Sequence, residues 1–234
     1  MHADFRNEIK MMKSLKVLIW KSWPVLLIRK TANTFGWSAA WLTLKRQIQD
    51  QRAKDAEIWR QGIYYKPAFY KDLDENGQLF LQTVKQNCAP QEKILDICCN
   101  QGRFLMELCK GGYSNLHGFD IMSGAIELCK NHQNFDPKKI SVETSLAQNY
   151  FPRQKDASFD WAMTYSATIE LIHPEFDIFK ELGRVVRKGL VLFINENGHY
   201  YPRFYKYLIK KTGFKKLKRT PSLIKEISSI VALK

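Results

Sequence analysis

The chain has 234 residues, 45% of them hydrophobic, with 37 Lys/Arg against 23 Asp/Glu and a formal net charge of +14. That length suffices for one full α/β domain plus an extension. The five cysteines include no C-x-x-C pair, which argues against a zinc site and against a disulfide framework and fits a reducing, cytoplasmic compartment.

The charge is unevenly spread. Residues 1–60 carry 12 basic and 5 acidic residues, residues 61–196 carry 15 and 17, and residues 197–234 carry 10 and 1. A near-neutral middle between basic flanks points to an anionic partner, either nucleic acid or a membrane surface; the alternative is a solvated surface that aids solubility.

Residues 10–30 hold the most apolar stretch, Leu15 to Ile28, flanked by Lys10, Lys13, Arg29 and Lys30. Val17 to Ile28 is only 12 residues, with Lys21 and Pro24 inside, whereas a spanning helix needs roughly 20 apolar residues. Asp4 and Glu8 spoil the basic start of a secretory signal. Trp20, Trp23 and the lysines suit docking on an anionic membrane surface, and helix packing on the domain or on a second copy is the other reading. Trp37, Trp41, Leu44 and Ile48 then recur at helical spacing. Residues 61–72 are aromatic-rich and broken by proline, and 74–86 read as a helix with Phe80, Leu81 and Val84 inward. The division is therefore a helical extension over 1–72 and a domain over 73–234.

Lys93 to Lys130 reads strand, tight turn, helix, strand, acidic residue, helix. Ile94, Leu95 and Ile97 form a short apolar run ending at Cys98-Cys99-Asn100-Gln101-Gly102, as a buried parallel strand does before a turn. A second strand ends in Asp120, 24 residues after Asp96. In open α/β sheets such a turn lets a nucleotide approach the backbone, and an acidic side chain about 20 residues on takes ribose hydroxyls.

These residues resemble the class I S-adenosylmethionine-dependent methyltransferases. The stretch Leu95-Asp96-Ile97-Cys98-Cys99-Asn100-Gln101-Gly102 is similar to their apolar-Asp-apolar-Gly-x-Gly-x-Gly motif, with Cys98 and Asn100 in the first two glycine positions. Gly118-Phe119-Asp120-Ile121 is similar to their second motif, and Ser158-Phe159-Asp160 to the opening of their fourth strand. The resemblance covers about residues 90–234. It implies a Rossmann-like, mostly parallel seven-stranded sheet with an antiparallel last strand, and S-adenosylmethionine as cofactor.

The remaining elements follow that order: strands at 140–144, 157–165 and 189–196, a loop at 147–157, a helix at 179–187, a helix at 202–212, and closing strands at 214–219 and 227–233. By the resemblance, Gly102 and the backbone of Cys98 to Asn100 approach the cofactor, and Asp96 orients that loop or reaches the amino group indirectly. Asp120 accepts from the ribose, Ile121 and Leu146 sandwich adenine, Ser145 faces its amino group, and Tyr165 lies near the sulfonium. Tyr64, Tyr65 and Tyr70 fold over the methionine end or simply pack on the sheet. His173 and, second, His199 are candidate bases, Glu170 and Glu196 possible orienters, and no metal is implied.

The Asn/Asp-Pro-Pro-aromatic motif of nucleobase-amine methyltransferases is absent after the fourth strand, where TYSA stands. The segments SATIELIHP and RKGLVLFINE instead resemble enzymes that methylate saccharides. The expectation is methyl transfer to a hydroxylated small molecule or saccharide in polysaccharide biosynthesis, at the inner face of a membrane. RNA methylation by way of the basic flanks and a non-catalytic relative are the alternatives; homo-oligomers are compatible with either.

Overall fold

A computed structural model describes residues 60–62, 72–165, 169–172, 175–195, 203, 205–221 and 227–234. The expectations for residues 1–59, for Tyr64, Tyr65 and Tyr70, and for His173, Glu196 and His199 lie outside the described residues.

Helix α1 (Glu75–Asn87) opens the domain. Asp74 caps it by accepting from the Gly77 amide at 2.7 Å, satisfying one of the free donors of a first turn. Then follow β1 (Ile94–Ile97), α2 (Arg103–Lys110), β2 (Leu116–Asp120), α3 (Ser123–Lys130) and β3 (Ile140–Thr144). All four residues of β1 are buried, three of them apolar, as suits a central parallel strand. Next come α4 (Ala147–Tyr150), β4 (Phe159–Tyr165), α5 (Ile178–Val185), β5 (Val186–Asn195), α6 (Tyr205–Lys211), β6 (Lys216–Pro221) and β7 (Ile227–Leu233).

The seven strands form one sheet in the order β3-β2-β1-β4-β5-β7-β6. All neighbours from β3 to β5 are parallel, and β7 runs antiparallel to both β5 and β6. The expected sheet is therefore the one found. Two apolar layers cover it. One gathers Phe80, Phe104, Leu105, Trp161 and Phe193 beneath α1 and α2, and the other Phe119, Phe151, Phe179 and Ile209 beneath α5 and α6.

Two local expectations change. Residues 147–157 are not simply a loop: α4 and a 3₁₀ turn at Phe151–Arg153 stand there. Tyr150 stacks on Phe119 at 4.2 Å, and Arg184 donates to the carbonyls of Gln154 and Phe151 at 2.7 and 2.9 Å. Tertiary anchoring, not local periodicity, makes so short a helix, and four residues carry too little pattern to reveal it. Likewise α5 ends at Val185 and β5 begins at Val186, ahead of Gly189, with a register shift between Phe159 and Trp161. There Asp160 accepts from the Lys93 amide at 3.0 Å and from Arg187 Nε at 2.9 Å, which draws the start of β5 to β4.

His117 on β2 is held in the packing, with Nε2 3.0 Å from Asn115 Oδ1 and its ring edge-on to Phe159. Burial, aided by the positive charge of Lys93, pushes its pKa down to about 4. An unfolded chain takes that proton near pH 6.5. The stability from the neutral ring is thus fully present above about pH 6.5 and is lost as pH falls toward 4, by up to roughly 3 kcal/mol. Melting His117→Gln beside the native protein from pH 7.5 to 4 is expected to show a flatter profile in that window; parallel profiles would refute the assignment.

Candidate functional site

The carboxyl ends of β1, β2 and β4 meet where the strand order reverses on either side of β1, the position at which open α/β sheets bind ligands. The turn after β1 builds one wall. Cys98, Asn100 and Gly102 all have left-handed backbone, with φ of 56°, 52° and 71°. Cys98 and Asn100 stand in two glycine positions of the motif they resemble and keep the conformation a glycine would adopt without strain. Asn100 helps by accepting from the Gln101 amide through its own Oδ1 at 2.8 Å. The turn is closed by Gly102 N donating to Cys99 O at 2.8 Å.

Gly102 is needed for packing as well as for its φ. A Cβ there would lie 2.5 Å from Cys129 Sγ on α3. The glycine thus lets the start of α2 close onto α3 across the crevice floor.

Asp120 ties this turn to β2. Its Oδ2 accepts from the Asn100 amide and its Oδ1 from the Met122 amide, each at 2.9 Å. The side chain is 4% exposed. Burial pushes its pKa up, and amide hydrogen bonds from Met122, Asn100 and Ile121 oppose that push. With three amides donating to its two oxygens, the carboxylate retains capacity for one further donor such as a ligand hydroxyl. The Asp120 carbonyl also accepts from the Ser145 amide at 2.8 Å, which sets the turn after β3 alongside.

Asp96 is 2% exposed, and its Oδ2 has no hydrogen-bond partner in the structure. Burial and then the Asp120 charge push its pKa well up, while Arg103 pulls it down. Glu170, in a 3₁₀ turn (Ile169–Leu171) after β4, is fully buried and close enough to Cys98 to act on its thiol electrostatically. Burial, then Asp120, Asp96 and Glu170, hold the Cys98 thiol well above its usual range, and burial with Asp96 pushes Cys129 up to about 12. These cysteines are packing groups and not nucleophiles, since the thiolate is the reactive form.

Ile121 and Leu146 are both partly exposed, on the turns after β2 and β3. The Ser145 hydroxyl donates to the Leu146 carbonyl at 3.1 Å and accepts from Arg153 at 3.3 Å. Tyr165 ends β4 with its ring among Phe80, Phe104 and Phe193 and its hydroxyl donating to Asp74 Oδ1 at 3.0 Å. Burial and that carboxylate push the phenol pKa up, so it is a donor and not a base. The structure thus brings Asp96, Cys98, Asn100, Gly102, Asp120, Ile121, Ser145, Leu146 and Tyr165 to one end of the sheet. Sequence reasoning missed Arg103 and Asp74: the signal was a basic residue directly after Gly102 and an N-cap two residues past the proline-broken stretch.

A sheet of this order, with a left-handed turn after β1 and a buried carboxylate at the tip of β2, defines a class I S-adenosylmethionine-dependent methyltransferase domain. Residues 94–189 match the methyltransferase domain family. A TehB-like S-adenosylmethionine-dependent methyltransferase from Corynebacterium glutamicum superposes with a TM-score of 0.56 at 18% identity, covering 78% of this chain and 99% of the other. Magnesium protoporphyrin IX methyltransferase from Synechocystis PCC 6803, with the cofactor bound, superposes with a TM-score of 0.55 at 13% identity, covering 77% and 97%. At such identities the likeness is one of fold. EEF1A lysine methyltransferase 2 of Danio rerio is 32% identical over 85 residues, covering 32% of this chain and 36% of the relative, so the chain spans about a third of that protein's length.

S-adenosylmethionine is the cofactor of this class, and the residues present fit it. Asp120 has room to accept from a ribose hydroxyl, Ile121 and Leu146 are partly exposed where a flat base could lie, and Asp96 Oδ2 is a buried acceptor with no hydrogen-bond partner. Among the described residues no group of three His, Cys, Asp or Glu could hold a metal ion, and no helix is long and apolar enough to cross a membrane.

Proposed function

We propose that this protein is an S-adenosylmethionine-dependent methyltransferase whose acceptor is a hydroxyl of a small molecule or saccharide. The observation that carries the methyl-transfer reading is Asp120, buried at the tip of β2 and bonded to the left-handed turn. When bound, the cofactor supplies an electrophilic methyl group for an in-line displacement. The chain's share is to hold donor and acceptor in line, exclude water and take the acceptor's proton. Asp120 holds the ribose and Asp96 the amino end. His173, with His199 as the second candidate, would take the hydroxyl proton as a neutral imidazole.

The saccharide assignment rests on the SATIELIHP and RKGLVLFINE segments, and a lipid-linked glycan joins it to the basic, Trp-containing residues 10–30. A second reading, transfer to a lysine amine of a protein, is favoured by the 85-residue match to a lysine methyltransferase and by the buried acidic side chains of the crevice, which suit a basic acceptor. RNA is the third pool, reached through the basic flanks.

Labelled methyl transfer from S-adenosylmethionine into fractionated glycan, lipid, RNA and protein pools separates these readings. Label in glycan or lipid is the expected result, and label in protein alone would replace the hydroxyl acceptor by an amine. No label in any pool, together with no cofactor binding by calorimetry, would leave a non-catalytic relative.

A further inference from the structure

The first residue of α2 and the last of β4 both reach away from the sheet to the same place, the start of α1. Arg103 follows Gly102 directly. Its guanidinium donates to the Asp72 carbonyl at 2.8 Å and lies over the rings of Phe104 and Tyr165, 4.9 and 5.2 Å from their centroids. Tyr165 in turn donates to Asp74, the N-cap of α1. Two hydrogen bonds and a stacked cation thus join residues 72–74 to the two elements that flank the crevice. The same Arg103 acts electrostatically on buried Asp96.

We propose that Arg103 and Tyr165 are positioning residues: they form a clasp that holds the point where the N-terminal region enters the domain against the crevice mouth, and so set how long the cofactor stays bound. This rests on the methyltransferase reading above. Neither side chain is asked to touch the reacting atoms. Tyr165, half-buried with its phenol pKa pushed up, is a fixed donor. Arg103 presents a planar face and a fork, which lysine cannot reproduce. Closure of this kind commits a bound ligand by slowing its escape.

The test is the dissociation rate of S-adenosylmethionine from the full-length protein, measured with the thermal midpoint and, once an acceptor is known, with KM and kcat. Tyr165→Phe keeps the ring among Phe80, Phe104 and Phe193 and removes only the hydroxyl. Asp74→Ser keeps a good N-cap but is too short to reach Tyr165. Each is expected to speed cofactor release roughly three- to tenfold, the worth of one hydrogen bond to a partly solvated carboxylate, and to raise KM for the cofactor. The double variant is expected to be no worse than either single, because both remove one bond. Arg103→Lys is expected to shift the rate in the same direction.

Lowered midpoints with unchanged release rates would reduce the clasp to a structural bond, and additive rates in the double variant would show that the two residues act apart. Failure of the native protein to bind S-adenosylmethionine would overturn the functional reading itself, a result distinct from either of these.

Discussion

Asp120→Ala is expected to abolish measurable cofactor binding and to destabilise the fold at the same time. The carboxylate accepts from two amides, of Asn100 and Met122, in a site it shares with the left-handed turn. Removing it leaves both amides buried without an acceptor, at about 1–3 kcal/mol each. It would also remove the acceptor proposed above for the ribose. Two hydrogen bonds to a charged group are together worth roughly 3–5 kcal/mol, or two to four orders of magnitude in affinity. Calorimetry with S-adenosylmethionine and a thermal melt without it read the two losses separately. Micromolar affinity in Asp120→Ala would remove the ribose role. An unchanged midpoint would contradict the anchoring of the turn.

Gly102→Ala is the second large effect, and its cause is different. The new Cβ would meet Cys129 Sγ at 2.5 Å, in a backbone with φ of 71°. Cys129 is fully buried. Overpacking at a closed helix contact costs about 1–3 kcal/mol, and the left-handed conformation adds about 1 for a residue with a Cβ. A total near 2–4 kcal/mol is expected in denaturant titration. Adding Cys129→Ala removes the sulfur that the methyl strikes. The double variant is therefore expected to be more stable than Gly102→Ala alone, although Cys129→Ala by itself leaves a small cavity. Strict additivity would show that the sulfur is not the obstacle.

This contact also explains which glycine the turn keeps. Cys98 and Asn100 share its left-handed backbone, so backbone freedom alone does not single out Gly102. Within this turn Gly102 is where an added Cβ meets an obstruction, and that obstruction comes from α3, 27 positions later in the chain. No reading of the local motif contains that sulfur. The same holds for the network at the other end of the sheet, where Glu92 takes the Trp161 indole at 2.9 Å and pairs with Lys188. Residues so far apart along the chain give no periodic signal.

What the sequence by itself determined was the sheet and the class of cofactor. Apolar runs bounded by turns place the central strands, because a parallel strand covered on both faces is built mainly of apolar residues. Asp96 and Asp120 follow from strand ends alone, since the backbone carries them there whatever their neighbours do. Tertiary structure decided the rest. The single-turn helix α4 exists because Tyr150 stacks on Phe119 and Arg184 holds the carbonyls beyond it. The Tyr165 hydroxyl points to Asp74, 91 residues earlier in the chain, and Arg103 lies over its ring. Strand pattern fixes where a backbone ends; only the packing of distant segments fixes which partner the last side chain finds.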